Sequence, residues 1–303
     1  MNEGEIIRFI RKEKKISQEK LARGICTVKH LSNVELGRST MSYNMVCLII
    51  ERLNTDSSLV INKDIKRYGL KLYKEMKAVE LLFLNLDFSM LNVKVDQLLS
   101  DYSLGDNNRK KLQYYKAVCI SEIDGAYDEA NNILYSSLCI NNYIEVIKLL
   151  KSYCDILELD MINAIAVNLD GLNKKKSSHD LFEGILKHLT KYEKLESTFG
   201  IKIMFNKMKL LYSMKLYEEL IILGDLGIET CKRKKYNHYS GICFYMGRAY
   251  KKLGNRSLSK HYFKRYVYLE LLFETNLDTL GIVNSLIEEE NLTIDKSILD
   301  MEV

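Results

Sequence analysis

The side chains best placed to do chemistry cluster between residues 18 and 38, and their chemistry is recognition rather than bond making. Within T-V-K-H-L-S-N-V-E (27–35), Lys29 can donate to guanine O6 and N7, Asn33 can pair bidentately with adenine, and Val28 suits a thymine methyl. Thr27 and His30 stand beside them, and Gln18 and Arg38 flank the stretch where phosphates could be held to set register. His30 can equally be a solvated side chain, and Cys26 reads as turn packing. Bond-making motifs are missing: there is no G-x-x-x-x-G-K-[ST], no G-x-G-x-x-G opening a helix, no G-x-S-x-G and no H-E-x-x-H. The five His lack metal-ligand spacing, and the seven Cys, an odd number with no C-x-x-C pair, argue against a zinc site or a disulfide framework. The expectation is no catalytic residue, no metal and no cofactor.

Four short helices must position the cluster. Ile6, Ile7 and Ile10 form an apolar stripe on a first helix, and Leu21 and Ala22 mark a second that opens at the N-cap residue Ser17. A third, opened by Thr27 and stopped by Gly37 in the C′ role, carries Leu31 and Val34. A fourth shows the i, i+3, i+4, i+7 pattern in Val46, Ile49, Ile50 and Leu53. Small Ala22 and permissive Gly24 allow the tight Arg23–Cys26 turn of a helix-turn-helix.

The run ISQEKLARGICTVKHLSNVELG resembles the Xre/Cro-type helix-turn-helix at Gln18, Leu21, Ala22, Leu31, Ser32, Glu35 and Gly37, with a turn one residue shorter than in phage repressors. The shorter form, with Gly-Ile-Cys before the N-cap, is similar to the PlcR group. The resemblance implies that the third helix enters the major groove with its N-terminal residues toward base edges. It also implies an internal ion pair between Arg11 and Glu35.

Charge placement agrees with such a partner. Residues 1–67 hold 13 Lys/Arg and 8 Asp/Glu, while 68–303 hold 32 of each, so the net +5 belongs to the N-terminal fifth. The absence of Pro removes the commonest helix breaker and favours an all-α protein. The N-terminus MNEGEIIR lacks a signal peptide's basic start, and the longest apolar runs are far too short to span a bilayer, so a cytoplasmic protein with no membrane association is expected.

Beyond the polar stretch NTDSSLVINKD (54–64), which reads as a boundary, an apolar-periodic segment over 65–85 suits a linking helix. Phe88, Tyr127, Tyr217 and Arg256 then follow turns at spacings of 39, 90 and 39, the 90 suggesting two further repeats. The units resemble tetratricopeptide repeats without their first-helix Trp: Gly247, Tyr250, Gly254, Phe263 and Tyr266 fall on preferred positions, as do Gly125, Tyr127 and Ala130. Register is open over 141–200, where KKKSSHD (174–180) reads as a loop, and Glu288–Glu290 close a polar capping helix. Stacked helix pairs would form one continuous core with a concave groove suited to an extended peptide. Projecting the repeat places Tyr115, Glu122, Phe205, Lys209, Tyr212, Phe244, Arg248 and Lys252 in that groove, with Asn163 and Asn168 from the ambiguous middle. Asn can bond both backbone groups of a peptide, and Lys209, Arg248 and Lys252 can receive a carboxylate. An aromatic at helical spacing can equally belong to the core, and a cation to a solvated face.

The combined pattern resembles the PlcR/PrgX (RRNPP) class of peptide-responsive regulators. It implies a helix-turn-helix domain at 1–55, a linker and linking helix at 56–75, and a tetratricopeptide-like solenoid at 76–303. The implied function is a cytoplasmic quorum-sensing receptor in which a short linear signalling peptide alters how a homodimer holds a double-stranded DNA operator. Two other readings stay open: a DNA-binding regulator whose repeats bind a protein or only dimerise, and a protein-sequestering or phosphatase-modulating repeat protein.

Overall fold

The computed structural model describes residues 3–54, 69–101, 104–232, 238–272 and 277–293, and side chains are not described at 69–71, 73, 101, 232 and 277–279. Among the described residues there are sixteen α-helices and no strand, so the chain is all-α, with a helix-turn-helix bundle leading into a helical domain. No described helix is long and apolar enough to cross a membrane. The chain divides into two compact units, Met1–Cys119 and Ile120–Val303.

The first unit opens with α1 (Glu3–Glu13), α2 (Gln18–Ala22), α3 (Val28–Glu35) and α4 (Tyr43–Leu53). The stripes read from the sequence meet in one core: Ile6, Ile7, Ile10, Leu21, Ala22, Leu31, Val46, Ile49, Ile50 and Leu53 are all buried together. Each buried Ile, Leu or Val among them contributes about 1.5–3 kcal/mol over remaining exposed. Gly4 lets α1 lie against α3, since a Cβ there would fall 1.7 Å from the Val34 carbonyl oxygen. The unit continues with α5 (Gly69–Leu84), which packs on α6 (Phe88–Asp101), and with α7 (Asp106–Asp124), within which the two units divide. The boundary segment 54–64 lies, beyond Asn54, outside the described residues, as do 65–68 of the linking helix.

The second unit contains α8 (Tyr127–Ser137), α9 (Tyr143–Leu149), α10 (Ile156–Gly171), α11 (Lys175–Lys191), α12 (Thr198–Ser213), α13 (Tyr217–Lys232), α14 (Tyr239–Lys252), α15 (Arg256–Leu272) and α16 (Leu277–Glu290). From α10 onward each helix packs on its successor, and α12 also touches α10 and α14, so apolar faces are shared along a stack. A Cβ at Gly247 would meet the Phe263 ring at 2.6 Å, which sets how closely α14 and α15 approach.

All four repeat anchors, Phe88, Tyr127, Tyr217 and Arg256, are first residues of helices. Two positions before each stands a residue with positive φ: Leu86, Gly125, Lys215 and Gly254. The same geometry recurs at Asn173, two before the start of α11. The 90-residue gap therefore divides at the start of α11 into two steps, with the short α9 as an extra helix in the first of them. The KKKSSHD segment is a correction: residues 175–180 are the first turns of α11. They are helical because Ser178 is fully buried and donates to the Ala166 carbonyl at 2.6 Å, while Leu181 and Phe182 are buried just beyond.

Candidate nucleic-acid interface and ligand cleft

Local capping fixes the first constellation. The Ser17 hydroxyl accepts from the Lys20 N–H and the Thr27 hydroxyl from the His30 N–H, both at 3.1 Å, so α2 and α3 each begin where a side chain satisfies an orphan donor. Gly24, at φ +72°, makes the turn between them. Arg52 on α4 buttresses that turn by donating to the carbonyls of Leu21, at 3.0 Å, and Arg23. Gly37, at φ +71°, ends α3.

The buried edge of α3 consists of Leu31, Val34 and Glu35, which leaves Thr27, Val28 and Lys29 exposed, with His30 and Asn33 half-buried. Glu35 is 2% exposed and takes both Nε and Nη2 of Arg11, at 2.6 and 2.7 Å. The same carboxylate accepts from Gln18 Nε2 at 2.7 Å, so the first residue of α2 is tethered to α3. Arg38 is exposed immediately beyond α3. A cleft of about 640 Å³ runs among α1, the start of α2 and α3, and includes Gln18 and Val28. Ser32 and Leu36 also line it; they follow Val28 by four and eight positions on one helical face, but sequence reasoning gives Ser32 only as a family position and passes over Leu36.

In the second unit, Tyr212, Phe244, Arg248 and Lys252 come together in a cleft of about 510 Å³ that Lys251, Phe263, Leu286, Glu289 and Glu290 complete. The Arg248 guanidinium lies 4.2 Å from the Tyr212 ring centroid and 5.5 Å from that of Phe244, a cation–π arrangement. Arg248 has no carboxylate partner among the described residues, whereas Lys251 is paired with Glu290. Phe205 extends the aromatic line by packing edge-on against Tyr245, which in turn meets Tyr212. Its other face stacks on His238, an imidazole that burial, and then nearby Lys202, hold below its ordinary pKa. Lys209 is exposed, with its ammonium 5.8 Å from the Phe205 ring.

The remaining groove candidates stand elsewhere. Tyr115 lies in the first unit, buried against Phe83 at 4.7 Å between centroids. Glu122 is exposed on α7. Asn163 is buried and accepts from Asn206 at 3.0 Å. Asn168 is buried with both ends of its amide engaged, accepting from Ser121 at 2.9 Å and donating to Asn131 at 3.0 Å. A side chain so satisfied ties α7, α8 and α10 together and has little left for a ligand. Among the described residues His179, Glu183 and Glu219 offer three possible metal-ligand atoms, but the buried Lys207 ammonium already donates to both carboxylates, at 2.9 Å to Glu219.

Residues 147–277 match the RNPP family C-terminal domain, and residues 7–60 match a helix-turn-helix family. A search of curated proteins gave no match. Among solved structures, Bacillus thuringiensis PlcR in complex with the peptide PapR7 and DNA is similar at 22% identity, with a TM-score of 0.66 over 94% of this chain and 99% of that one. ComR from S. thermophilus, in complex with DNA and its signalling peptide ComS, is similar at 15% identity and a TM-score of 0.53, over 96% and 99%. A putative transcriptional regulator from Listeria monocytogenes aligns at 17% identity and a TM-score of 0.52, over 96% and 99%. At these identities the structures speak for the fold. The two family matches are to transcription regulators, not enzymes.

Proposed function

From its place as an RNPP-type helix-turn-helix regulator, we propose that this chain controls transcription in answer to a short linear peptide held by its second unit. The carrying observation is the cleft around Arg248, where an acid-free guanidinium lies over Tyr212 beside Phe244 and Lys252. Such a site suits an apolar or aromatic side chain next to a carboxylate, as a peptide's end provides. Phe205 and Lys209 continue the same surface. PlcR and ComR, whose folds the chain shares, were solved with both DNA and a peptide.

The DNA-binding step follows from the first unit. With α3 in the major groove, Thr27, Val28, Lys29, His30 and Asn33 reach base edges while Gln18 and Arg38 hold phosphates. One module makes few contacts, so a homodimer on half-sites about 34 Å apart is the working form. Exposed Leu81, Leu84, Leu86, Met90 and Val93 give the first unit an apolar face that a second copy could cover. In this reading residues 1–55 bind DNA, 56–75 connect, and 76–303 bind peptide and dimerise in the cytoplasm. Peptide acts by binding unequally to two arrangements of the dimer.

The test is a Lys29→Ala/Asn33→Ala double variant. It is expected to lose operator binding while retaining its helical content and its peptide affinity. Unchanged operator binding would overturn the assignment.

A further inference from the structure

The placement of α3 in a groove leaves two cations on α1 without a role. Arg8 and Lys12 sit one turn apart and line the same cleft as Gln18, Val28 and Ser32. Their neighbours are already engaged: Arg11 is bound to Glu35 and the Ile16 carbonyl, and Lys14 to the carbonyls of Leu53 and Asn54. Arg8 and Lys12 have no acidic partner among the described residues, and Lys12 is exposed. Two unneutralised charges therefore face the space between α1 and the exposed edge of α3.

We propose that Arg8 and Lys12 contact neighbouring phosphates of the DNA strand bordering the groove that α3 enters, making α1 a third DNA-contacting element. Side chains four apart on a helix have Cβ atoms about 5–6 Å apart, so two long cationic side chains can span adjacent phosphates along a strand. The third cation of the cleft, Arg11, is neutralised by Glu35, so its share of the work is to hold α1 against α3 and so fix where Arg8 and Lys12 point. Glu19 on the rim disfavours a lone small anion and leaves a linear polyanion as the better match. The inference rests on the DNA-binding reading of α3.

The test is the salt dependence of full-chain binding to a mixed-sequence duplex, followed by fluorescence anisotropy. Each phosphate contact contributes about 0.9 to the slope of log affinity against log salt. An Arg8→Gln/Lys12→Gln variant is expected to lower the slope by about two per module, a roughly tenfold smaller loss of affinity between about 50 and 200 mM salt. A Lys187→Gln/Lys260→Gln control, with the same charge loss in the second unit, should keep the wild-type slope. Circular dichroism checks that both variants are folded. A wild-type slope in Arg8→Gln/Lys12→Gln overturns the proposal while leaving DNA binding intact, and an equal fall in the control also overturns it by assigning the effect to net charge. Absence of duplex binding by the wild-type chain would instead remove the reading beneath it.

Discussion

The Nε atom of Arg11 donates to Oε1 of Glu35 at 2.6 Å across 24 residues of sequence, joining α1 to α3 inside the core of the first unit. Gln18 donates to the other oxygen of the same carboxylate, at 2.7 Å, so one acid fixes both helices that flank α3. Removing one partner of a buried pair leaves the other charge uncompensated and costs about 3–5 kcal/mol. Glu35→Ala is expected to lose about that much in urea unfolding and to weaken DNA binding, because Gln18 loses its tether. A change below about 0.5 kcal/mol, the scale of ordinary surface substitutions, would contradict the role given to Glu35.

Close approach of α1 and α3 makes a second prediction. A Cβ at Gly4 would sit 1.7 Å from the Val34 carbonyl oxygen, whereas one at Gly281 would meet nothing within 4 Å. Gly4→Ala should destabilise by about 1–3 kcal/mol or more through forced separation of the helices. Gly281→Ala should be neutral or stabilise by up to about 1 kcal/mol, since it lies inside α16 and Ala favours helix. Equal thermal unfolding of the two variants would contradict the packing.

The first unit was largely legible from sequence because short helices advertise themselves locally. Ser17 and Thr27 cap α2 and α3, Gly37 stops α3, and the apolar stripes fall where periodicity puts them. The tether between Gln18 and Glu35 was not legible, since nothing in their types says which of several nearby acids an amide will meet. The beat was legible at Phe88 in the first unit and at Tyr127, Tyr217 and Arg256 in the second, all of which begin helices. It was lost over 141–200 because the extra helix α9 shifts the spacing. Asn168 illustrates a different limit. Its type allows a peptide contact, but only the fold shows both ends of its amide taken by Ser121 and Asn131.

Acid sensitivity should report on the Lys207 cluster. Burial alone would raise the Glu219 carboxyl, but hydrogen bonds from Lys207 and His179 outweigh it and hold the group below its ordinary value of 4.5. A carboxylate depressed in the folded state adds stability above its unfolded pKa, and that contribution is lost as pH falls through the folded one. The difference in urea midpoint between wild type and Glu219→Gln should therefore be largest near neutrality and shrink below the ordinary carboxylate range. A difference that grows on acidification would contradict the arrangement.

The ligand cleft predicts that Arg248 cannot be replaced by another cation. Arg248→Lys keeps the charge but loses the planar guanidinium held 4.2 Å from the Tyr212 centroid. Calorimetry with a peptide that alters the operator complex should show Arg248→Ala weaker by about 1.5–3 kcal/mol, the range for a bond to a charged group, with Arg248→Lys recovering only part of it. Full affinity in Arg248→Ala would move the peptide site elsewhere.

The most direct measurement is a mobility shift on the DNA upstream of the chain's own gene, with and without short peptides encoded by the neighbouring open reading frame, across a salt series. A regulator that senses peptide should bind that DNA with a steep loss at higher salt, and one of the peptides should change the affinity or the mobility of the complex. A specific complex that no such peptide alters at any salt concentration, or no complex at all, would contradict the account.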